Sequence, residues 1–284
     1  MRLAQCVAKA VVINSDSAQV SADLAVLSAR PRGHEMRGVP HRLFGTWDGA
    51  QACSAADWAV AARAEIAAAH ADGALPILVG GTGLYIRTLL DGIAPIPPID
   101  PAIRAAVRAM PVAAAWAALS HEDPERASRL GPADTTRVAR ALEVVRSTGR
   151  PLAAWQNARE GGIADTVSLS AVVLMPERGW LYERCDRRFA AMWHTGAQDE
   201  VRALLARRLD PDLPVMRAIG VREVAGFLNG ERDADAAIAA GQQATRNYAK
   251  RQYTWLRHQM PAAWQRLANE NYIGNVDFAG LFQI

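Results

Sequence analysis

Two short apolar runs, each followed at once by polar residues or glycines, constrain the fold of this chain more than any other feature. Residues 10–16, AVVINSD, predict a buried strand that places Asp16 at its carboxyl end. Residues 75–85, LPILVGGTGLY, predict a second strand that runs through glycines into a helix. A helix predicted over residues 55–71 connects the two strands. This order favours parallel pairing with a right-handed crossover, and therefore an α/β fold.

A proline-rich segment separates this sheet from a helical region. PIPPIDP at residues 95–101 predicts a stiff linker, and the alanine-rich sequence that follows predicts helices to about residue 160. A strand predicted over residues 169–174 would then resume the sheet. We therefore expect a core domain of residues 1–98 and 161–284, with a mainly helical insertion domain over residues 99–160.

Composition excludes some classes of protein. With 284 residues, 50% of them hydrophobic, the chain can bury a full core. No apolar run reaches the roughly 18 residues that a membrane span requires, so we expect no membrane association and a cytoplasmic location. The cysteines and histidines show no metal-ligand spacing, so the sequence predicts no metal site built from them.

Asp16 and the GGTG segment are the first candidates for chemistry. A carboxylate just beyond a buried strand can accept a proton, although an isolated aspartate can also simply cap the following turn. The glycines at residues 80–83 could bring backbone amides and a helix N-terminus to an anion. A tight turn between strand and helix would need the same glycines for steric reasons alone.

Basic residues mark three further segments. A helix predicted over residues 134–147 carries Arg137 and Arg140 away from its apolar stripe. This placement suits a phosphate or RNA contact, but a solvated basic face would show the same pattern. VMRAIGVRE, residues 215–223, contains Arg217. A long helix over residues 235–258 mixes cations such as Lys250 with aromatic rings, a combination that suits nucleic acid or amphipathic packing. The formal net charge of +3 by itself says little about partners.

Several blocks of the sequence, taken together, resemble the bacterial tRNA dimethylallyltransferases. The blocks cover nearly the whole chain to about His258, in the order and spacing of that family. They are DSAQ (16–19), ARP (29–31), VPH (39–41), LVGGTGLY (78–85), TRVARALEV (136–144), TGRPL (148–152), MRAIG (216–220) and KRQYTWLRH (250–258).

The resemblance implies a P-loop kinase-like, nucleotide-binding type of core with a helical insertion. It also implies transfer of a dimethylallyl group from dimethylallyl diphosphate to N6 of the adenine 3′ of the anticodon, with Asp16 as the base that accepts the N6 proton. A tRNA anticodon stem-loop would be the partner of a monomer. The positions that correspond to tRNA-binding residues are Asp16, Ser17, Ala18, Gln19, Thr82, Arg104, Thr136, Arg137, Val138, Ala139, Arg140, Arg217, Lys250, Arg251 and Arg257.

The chain departs from the family at its phosphate-binding loop. No segment matches G-x-x-x-x-G-K-[ST], the loop that holds the leaving diphosphate and supplies a ligand to Mg²⁺. We therefore expect the first strand and the loop to be absent from an otherwise complete core, and Arg217 is the remaining candidate for a diphosphate contact. Because pyrophosphate departure builds negative charge, we expect the residues as printed to give no transfer above background.

Three interpretations follow. The chain is a transferase whose N-terminus was lost or whose start was wrongly assigned, or it is a truncated remnant that still binds tRNA. The third is a small-molecule kinase of the same superfamily, which the tRNA-related blocks disfavour.

Overall fold

The computed structural model describes residues 1–268 and divides the chain into two compact units. The first unit comprises Met1–Arg87 and the chain from Val167 onward. The second comprises Thr88–Thr166. Each unit is described by itself below.

The first unit begins with a small parallel sheet and its flanking helices. In chain order the elements are α1 (Arg2–Gln5), β1 (Ala10–Asn14), α2 (Gly33–Met36), β2 (His41–Arg42), α3 (Ala55–Ala71), β3 (Leu75–Val79) and α4 (Gly83–Asp91), whose residues from Thr88 onward belong to the second unit. β1 is the middle strand and pairs in parallel with both β2 and β3. The predicted parallel α/β fold is confirmed.

Helix α3 forms where the sequence predicts it, because its end signals are strong. The Ser54 hydroxyl accepts the Asp57 amide at 3.1 Å and the Asp57 carboxylate accepts the Ser54 amide at 3.0 Å, which makes a capping box. Trp58, Ala62 and Ile66 recur at intervals of four residues and are all buried. This helical face contributes to the core that fixes the carboxyl end of β1.

The second unit is helical. Its helices are α5 (Pro101–Arg108), α6 (Val112–Glu122), α7 (Pro124–Ala127), α8 (Thr135–Thr148) and α9 (Leu152–Gln156). Asp100, Asp123 and Asp134 each cap the helix that follows with a side-chain oxygen. The unit extends beyond residues 99–160, because the Ile93 and Glu160 backbones pair and the Ile163 amide donates to the Leu89 carbonyl at 3.1 Å.

The chain then returns to the first unit. The remaining elements are β4 (Val172–Leu174), α10 (Arg178–Met192), α11 (Gln198–Ala206), α12 (Val221–Leu228), α13 (Ala234–Gln259) and β5 (Gln265–Leu267). A single π-type turn at Trp193–Ala197 joins α10 to α11, with Gly196 at a φ of 116°. Leu24, from the loop after β1, packs among Phe189, Val201, Val224 and neighbouring apolar residues of these helices.

The expectation that residues 169–174 resume the sheet is wrong. β4 pairs in parallel with β5, and among the described residues these two strands form a sheet separate from β2, β1 and β3. Val173 packs with Met175 and Met260 beside Trp255 and Trp264, so the C-terminal segment supplies both the partner strand and the apolar cover. An apolar run predicts a strand, but it does not identify the partner of that strand.

In the described part of the chain, no helix combines the length and the hydrophobicity that crossing a membrane requires.

Candidate active site

Strand β1 ends in a network of hydrogen bonds that positions Asp16. Asn14 is fully buried, and its Nδ2 donates to the carbonyls of Asp16 and Leu43, each at 3.0 Å. Its Oδ1 accepts the Asp16 amide at 2.8 Å, while Trp58 Nε1 donates to the Asn14 carbonyl at 2.8 Å. Asn14 therefore ties the end of β1 to the segment after β2 and holds the backbone of Asp16 between them.

The environment of Asp16 raises its pKa. Burial is the largest cause, because a low-dielectric environment disfavours the charged carboxylate. Three interactions lower the pKa without cancelling the effect of burial. They are the Ala18 amide, which donates to Asp16 Oδ1 at 3.0 Å, the charge of Arg188, and hydrogen bonding with Thr82. The carboxylate is therefore a better proton acceptor than an exposed aspartate. Arg188, on α10, is a neighbour that sequence reasoning missed, since no motif distinguishes it from the other arginines of that helix.

Two hydroxyl groups that are distant in sequence meet beside Asp16. Thr82 Oγ1 accepts the Ser17 amide at 2.9 Å and donates to Ser17 Oγ at 3.1 Å. The Thr82 amide donates to the Ser15 carbonyl at 3.2 Å, which extends the pairing of β1 and β3 into the turn. The structure thus brings Asp16, Ser17 and Thr82 together at the carboxyl ends of neighbouring parallel strands.

Helix α13 closes this cluster through Tyr248. Burial is the largest cause of the raised pKa of the Tyr248 phenol, and the charge of Asp16 raises it further. Hydrogen bonding with Thr82, Ser17 and Gln252 lowers the pKa of this phenol without cancelling the effect of burial. Sequence reasoning placed Tyr248 in a basic aromatic segment but did not connect it with Asp16.

The glycines of the GGTG segment are required by close packing. A Cβ at Gly80 would overlap the backbone of Ser15, and a Cβ at Gly83 would overlap the ring of Trp255. The steric interpretation is therefore sufficient to explain these glycines.

Two aromatic rings of α13 are covered by arginine side chains of the first unit. Arg87 lies over the Trp255 ring at 5.2 Å from its centroid, and Arg178 lies over the Tyr253 ring at 5.0 Å. These rings serve the packing of the C-terminal segment, as the amphipathic alternative expected, and are not open platforms for a base.

Gln19 is held by the loop that follows it. Its Nε2 donates to the carbonyls of Ser28 and Ala29 at 2.9 and 3.1 Å. The loop is in turn held by the Glu200 carboxylate, which accepts the amides of residues 25, 26 and 27 at 2.5, 2.8 and 2.9 Å. Glu200, on α11, is a second supporting residue that the sequence did not reveal, because its partners are backbone groups.

The predicted cations of the first unit differ in their surroundings. Lys250, Arg251 and Arg257 are exposed on α13, and Arg251 lies over the Tyr248 ring at 5.6 Å. Arg217 has 60% of its side chain exposed and lies 3.8 Å from Asp212. By contrast, Arg246, another cation in the basic segment predicted over residues 235–258, pairs with Asp186 at 2.6 Å and is engaged within the protein.

The remaining predicted tRNA-binding residues lie in the second unit, on α5 and α8. These residues are Arg104, Thr136, Arg137, Val138, Ala139 and Arg140. Arg104, Thr136 and Arg137 are exposed. Val138 is 2% exposed and packs in the core of its unit, so its side chain is not part of the unit's surface.

Within residues 1–268, no group of three or more His, Cys, Asp or Glu side chains is arranged to hold a metal ion. The oxygen atoms near Asp16 are of the hard type that Mg²⁺ prefers, but they do not form a complete protein site.

These features define an α/β protein with a partly buried carboxylate and two hydroxyl groups at the ends of parallel strands, closed by a long C-terminal helix. The family model described as IPP transferase matches residues 19–259, and the chain belongs to this family.

Curated relatives and a solved structure agree with this membership. The chain is 67% identical over 275 residues to a tRNA dimethylallyltransferase of Novosphingobium aromaticivorans, which covers 97% of this chain and 98% of that protein. It is 65% identical over 274 residues to the Erythrobacter litoralis tRNA dimethylallyltransferase, covering 96% and 86%. The crystal structure of a tRNA isopentenylpyrophosphate transferase from Bacillus halodurans superimposes with a TM-score of 0.68 at 31% identity, covering 99% of this chain and 91% of that one.

The comparisons do not confirm the N-terminal truncation expected from the sequence, since the alignment covers 98% of the first relative. The absence of the G-x-x-x-x-G-K-[ST] pattern from the printed residues remains a fact of the sequence.

Proposed function

We propose that the protein is a tRNA dimethylallyltransferase. It transfers the dimethylallyl group of dimethylallyl diphosphate to N6 of the adenine 3′ of the anticodon, in tRNAs that read codons beginning with U. The observation that carries the proposal is the partly buried Asp16, with a raised pKa and beside Ser17 and Thr82, in a chain of the IPP transferase family.

Asp16 acts as the general base in this proposal. The adenine N6 attacks the allylic carbon, the N–C bond forms, and the C–O bond to the diphosphate breaks with its electron pair leaving on pyrophosphate. The N6 proton moves to the Asp16 carboxylate, whose raised pKa suits it to accept a proton from a weakly basic amine. Asn14 and the Ala18 amide hold this carboxylate in place.

The leaving diphosphate needs positive charge or hydrogen-bond donors. Arg217 is the candidate among the residues predicted from sequence, because its side chain is largely exposed and its described ion pair, with Asp212, is long at 3.8 Å. Mg²⁺ usually binds through one or two carboxylates together with substrate phosphates, so we propose that it enters with the diphosphate. No step above depends on the metal.

The target adenine must leave the stacked anticodon loop to reach Asp16, as in other enzymes that modify a base. We propose that Ala18 and Gln19 contact this adenine and its neighbours. Thr82 and the exposed Lys250, Arg251 and Arg257 would contact the RNA from the first unit, and the positions on α5 and α8 from the second. We further propose a monomer in the cytoplasm, where the tRNA substrate is found.

The experiment incubates the purified chain with dimethylallyl diphosphate, Mg²⁺ and an anticodon stem-loop, and detects the modified adenosine by mass spectrometry. Turnover that disappears in Asp16→Asn supports the transferase. Specific RNA binding without turnover would instead favour the tRNA-binding remnant, which the missing phosphate-binding loop motivates. Absence of both binding and turnover would refute the proposed function.

A further inference from the structure

The second unit contains a buried carboxylate whose partners are exposed. Glu143 lies on α8 with 1% of its side chain exposed. It is surrounded in sequence by the apolar residues of the buried face of that helix, which are Val138, Ala141, Leu142 and Val144. A buried carboxylate is costly unless charged or hydrogen-bonding partners satisfy its oxygens.

Each oxygen of Glu143 faces an arginine. Arg108 Nε donates to Glu143 Oε1 at 2.9 Å, and Arg140 Nη1 lies 3.7 Å from Glu143 Oε2. The two arginine side chains are 68% and 42% exposed. Among the hydrogen bonds of residues 1–268, Arg108 donates only through Nε, and neither of its terminal nitrogens has a described protein acceptor. The carboxylate thus orients guanidinium groups that remain available to a ligand.

Other arginines of the same unit are engaged differently. Arg146 makes three hydrogen bonds to Glu122 and Arg129 pairs with Glu125 at 2.6 Å. Arg104 is exposed one helical turn before Arg108 on α5 and has no ion pair within the described chain. Two guanidinium groups, on Arg108 and Arg140, are therefore placed beside a single carboxylate, and Arg104 lies one helical turn from Arg108 on the same helix. The surface they form, here called the α5–α8 arginine surface, has an excess of positive charge.

We infer that Arg108, which is not among the RNA-contacting positions proposed above, binds a phosphate of the RNA backbone, and that Glu143 orients its guanidinium for this contact. The inference rests on the proposed function for the identity of the RNA. The planar guanidinium fork matches phosphate oxygens, and pairing through Nε leaves the terminal nitrogens of Arg108 to donate. No exposed large hydrophobic residue lies on α5 or α8, whereas a protein partner would want an apolar or aromatic anchor there.

The test measures binding of the full chain to a fluorescent anticodon stem-loop at salt concentrations from about 50 to 200 mM. Log affinity falls as log salt rises, and each lost phosphate contact makes this slope shallower by about 0.7–0.9. We expect Arg108→Ala to show this change, so its affinity deficit should shrink about threefold across the salt range. Arg129→Ala, which removes an exposed arginine of the same unit that is already paired, should leave the slope unchanged.

Two further variants separate orientation from charge. Arg108→Lys keeps the charge but loses the fork, so it should retain the slope and bind less tightly. In a Glu143→Gln background that melts like the wild type, Arg108→Ala should cost less affinity than it does in the wild type, because the guanidinium is no longer oriented. If Glu143→Gln unfolds, the comparison of Arg108→Ala with Arg129→Ala is still decisive.

The outcomes distinguish the two proposals. If the wild type binds the stem-loop and Arg108→Ala has the salt slope of Arg129→Ala, the inference is wrong and the proposed function stands. If the wild type does not bind the stem-loop at all, both fail. Binding of poly-glutamate that is tighter than RNA binding and depends on Arg108 would overturn the inference in favour of an acidic protein partner.

Discussion

Replacing Asn14 by aspartate tests whether this buried side chain holds Asp16 in place. The substitution preserves shape but removes the Nδ2 donor, which makes two hydrogen bonds of 3.0 Å to the carbonyls of Asp16 and Leu43. Leaving a buried acceptor without a partner costs about 1–3 kcal/mol, so loss of the buried bond to Leu43 alone predicts a decrease of that size in the free energy of unfolding, and the partly buried bond to Asp16 adds a smaller amount. Urea denaturation measures this quantity directly.

The same variant carries a second signature in activity. The introduced carboxylate lies two residues from Asp16 in a buried environment, and a like charge raises the pKa of Asp16 above its already raised value. Since the proposed transfer requires ionised Asp16, the acid limb of the pH–rate profile should move to higher pH.

Asn157→Asp is the matched control, because Asn157 is exposed at the end of α9. It should leave both the unfolding free energy and the pH profile unchanged. The reasoning would be refuted if Asn14→Asp unfolded within about 0.5 kcal/mol of the wild type, the range of ordinary surface substitutions, and retained the wild-type pH profile.

Three more substitutions test other parts of the site. Asp16→Asn should abolish transfer yet raise the free energy of unfolding at neutral pH, because a raised folded-state pKa means that ionisation of Asp16 opposes folding. This gain in stability should vanish below about pH 3.9, where the aspartate is protonated in both the folded and the unfolded state. A variant that is less stable than the wild type at pH 7 would contradict the raised pKa of Asp16. Gly83→Ala should destabilise the protein by about 1–3 kcal/mol, as measured by urea denaturation, because the added methyl group overlaps the Trp255 ring. The control Gly131→Ala, where the added methyl group meets open space, should leave the stability unchanged. Equal effects of the two substitutions would disprove the close packing of Gly83 and Trp255. Glu200→Ala should lower the free energy of unfolding by about 3 kcal/mol, the order of one or two charge-assisted hydrogen bonds. It should also weaken stem-loop binding, because the loop at residues 25–29 positions Gln19. Wild-type stability would show that this loop keeps its conformation without Glu200.

Local signals in the sequence were sufficient for many elements. β1 and β3 combine apolar runs with polar or glycine ends, and α3 has a capping box, so each element appears where it was predicted. β4 shows the limit of such signals, because pairing with β5 depends on where the C-terminal segment lies. Similarly, an exposed arginine and an engaged one look alike in sequence, which is why Arg246 could not be recognised as the partner of Asp186.

The candidate site divides in the same way. Asp16 was identifiable because a carboxylate directly follows a buried strand, and its neighbours Ser17 to Gln19 came with it. Tyr248, Arg188 and Glu200 were not identified in this role. Their connection with Asp16 or with the loop at residues 25–27 crosses more than 170 residues of chain and involves ring burial, charge or backbone amides, none of which leaves a local pattern.

By itself, the sequence determined the α/β class, the resemblance to the tRNA dimethylallyltransferases and the choice of Asp16, because these depend on local patterns and on motif order. Only the tertiary structure decided that Thr82 and Tyr248 enclose that carboxylate, that Trp255 packs on Gly83, and that a buried Glu143 orients Arg108. Burial and long-range contact set the basicity of a carboxylate and the availability of an arginine, and both arise only when distant segments pack together.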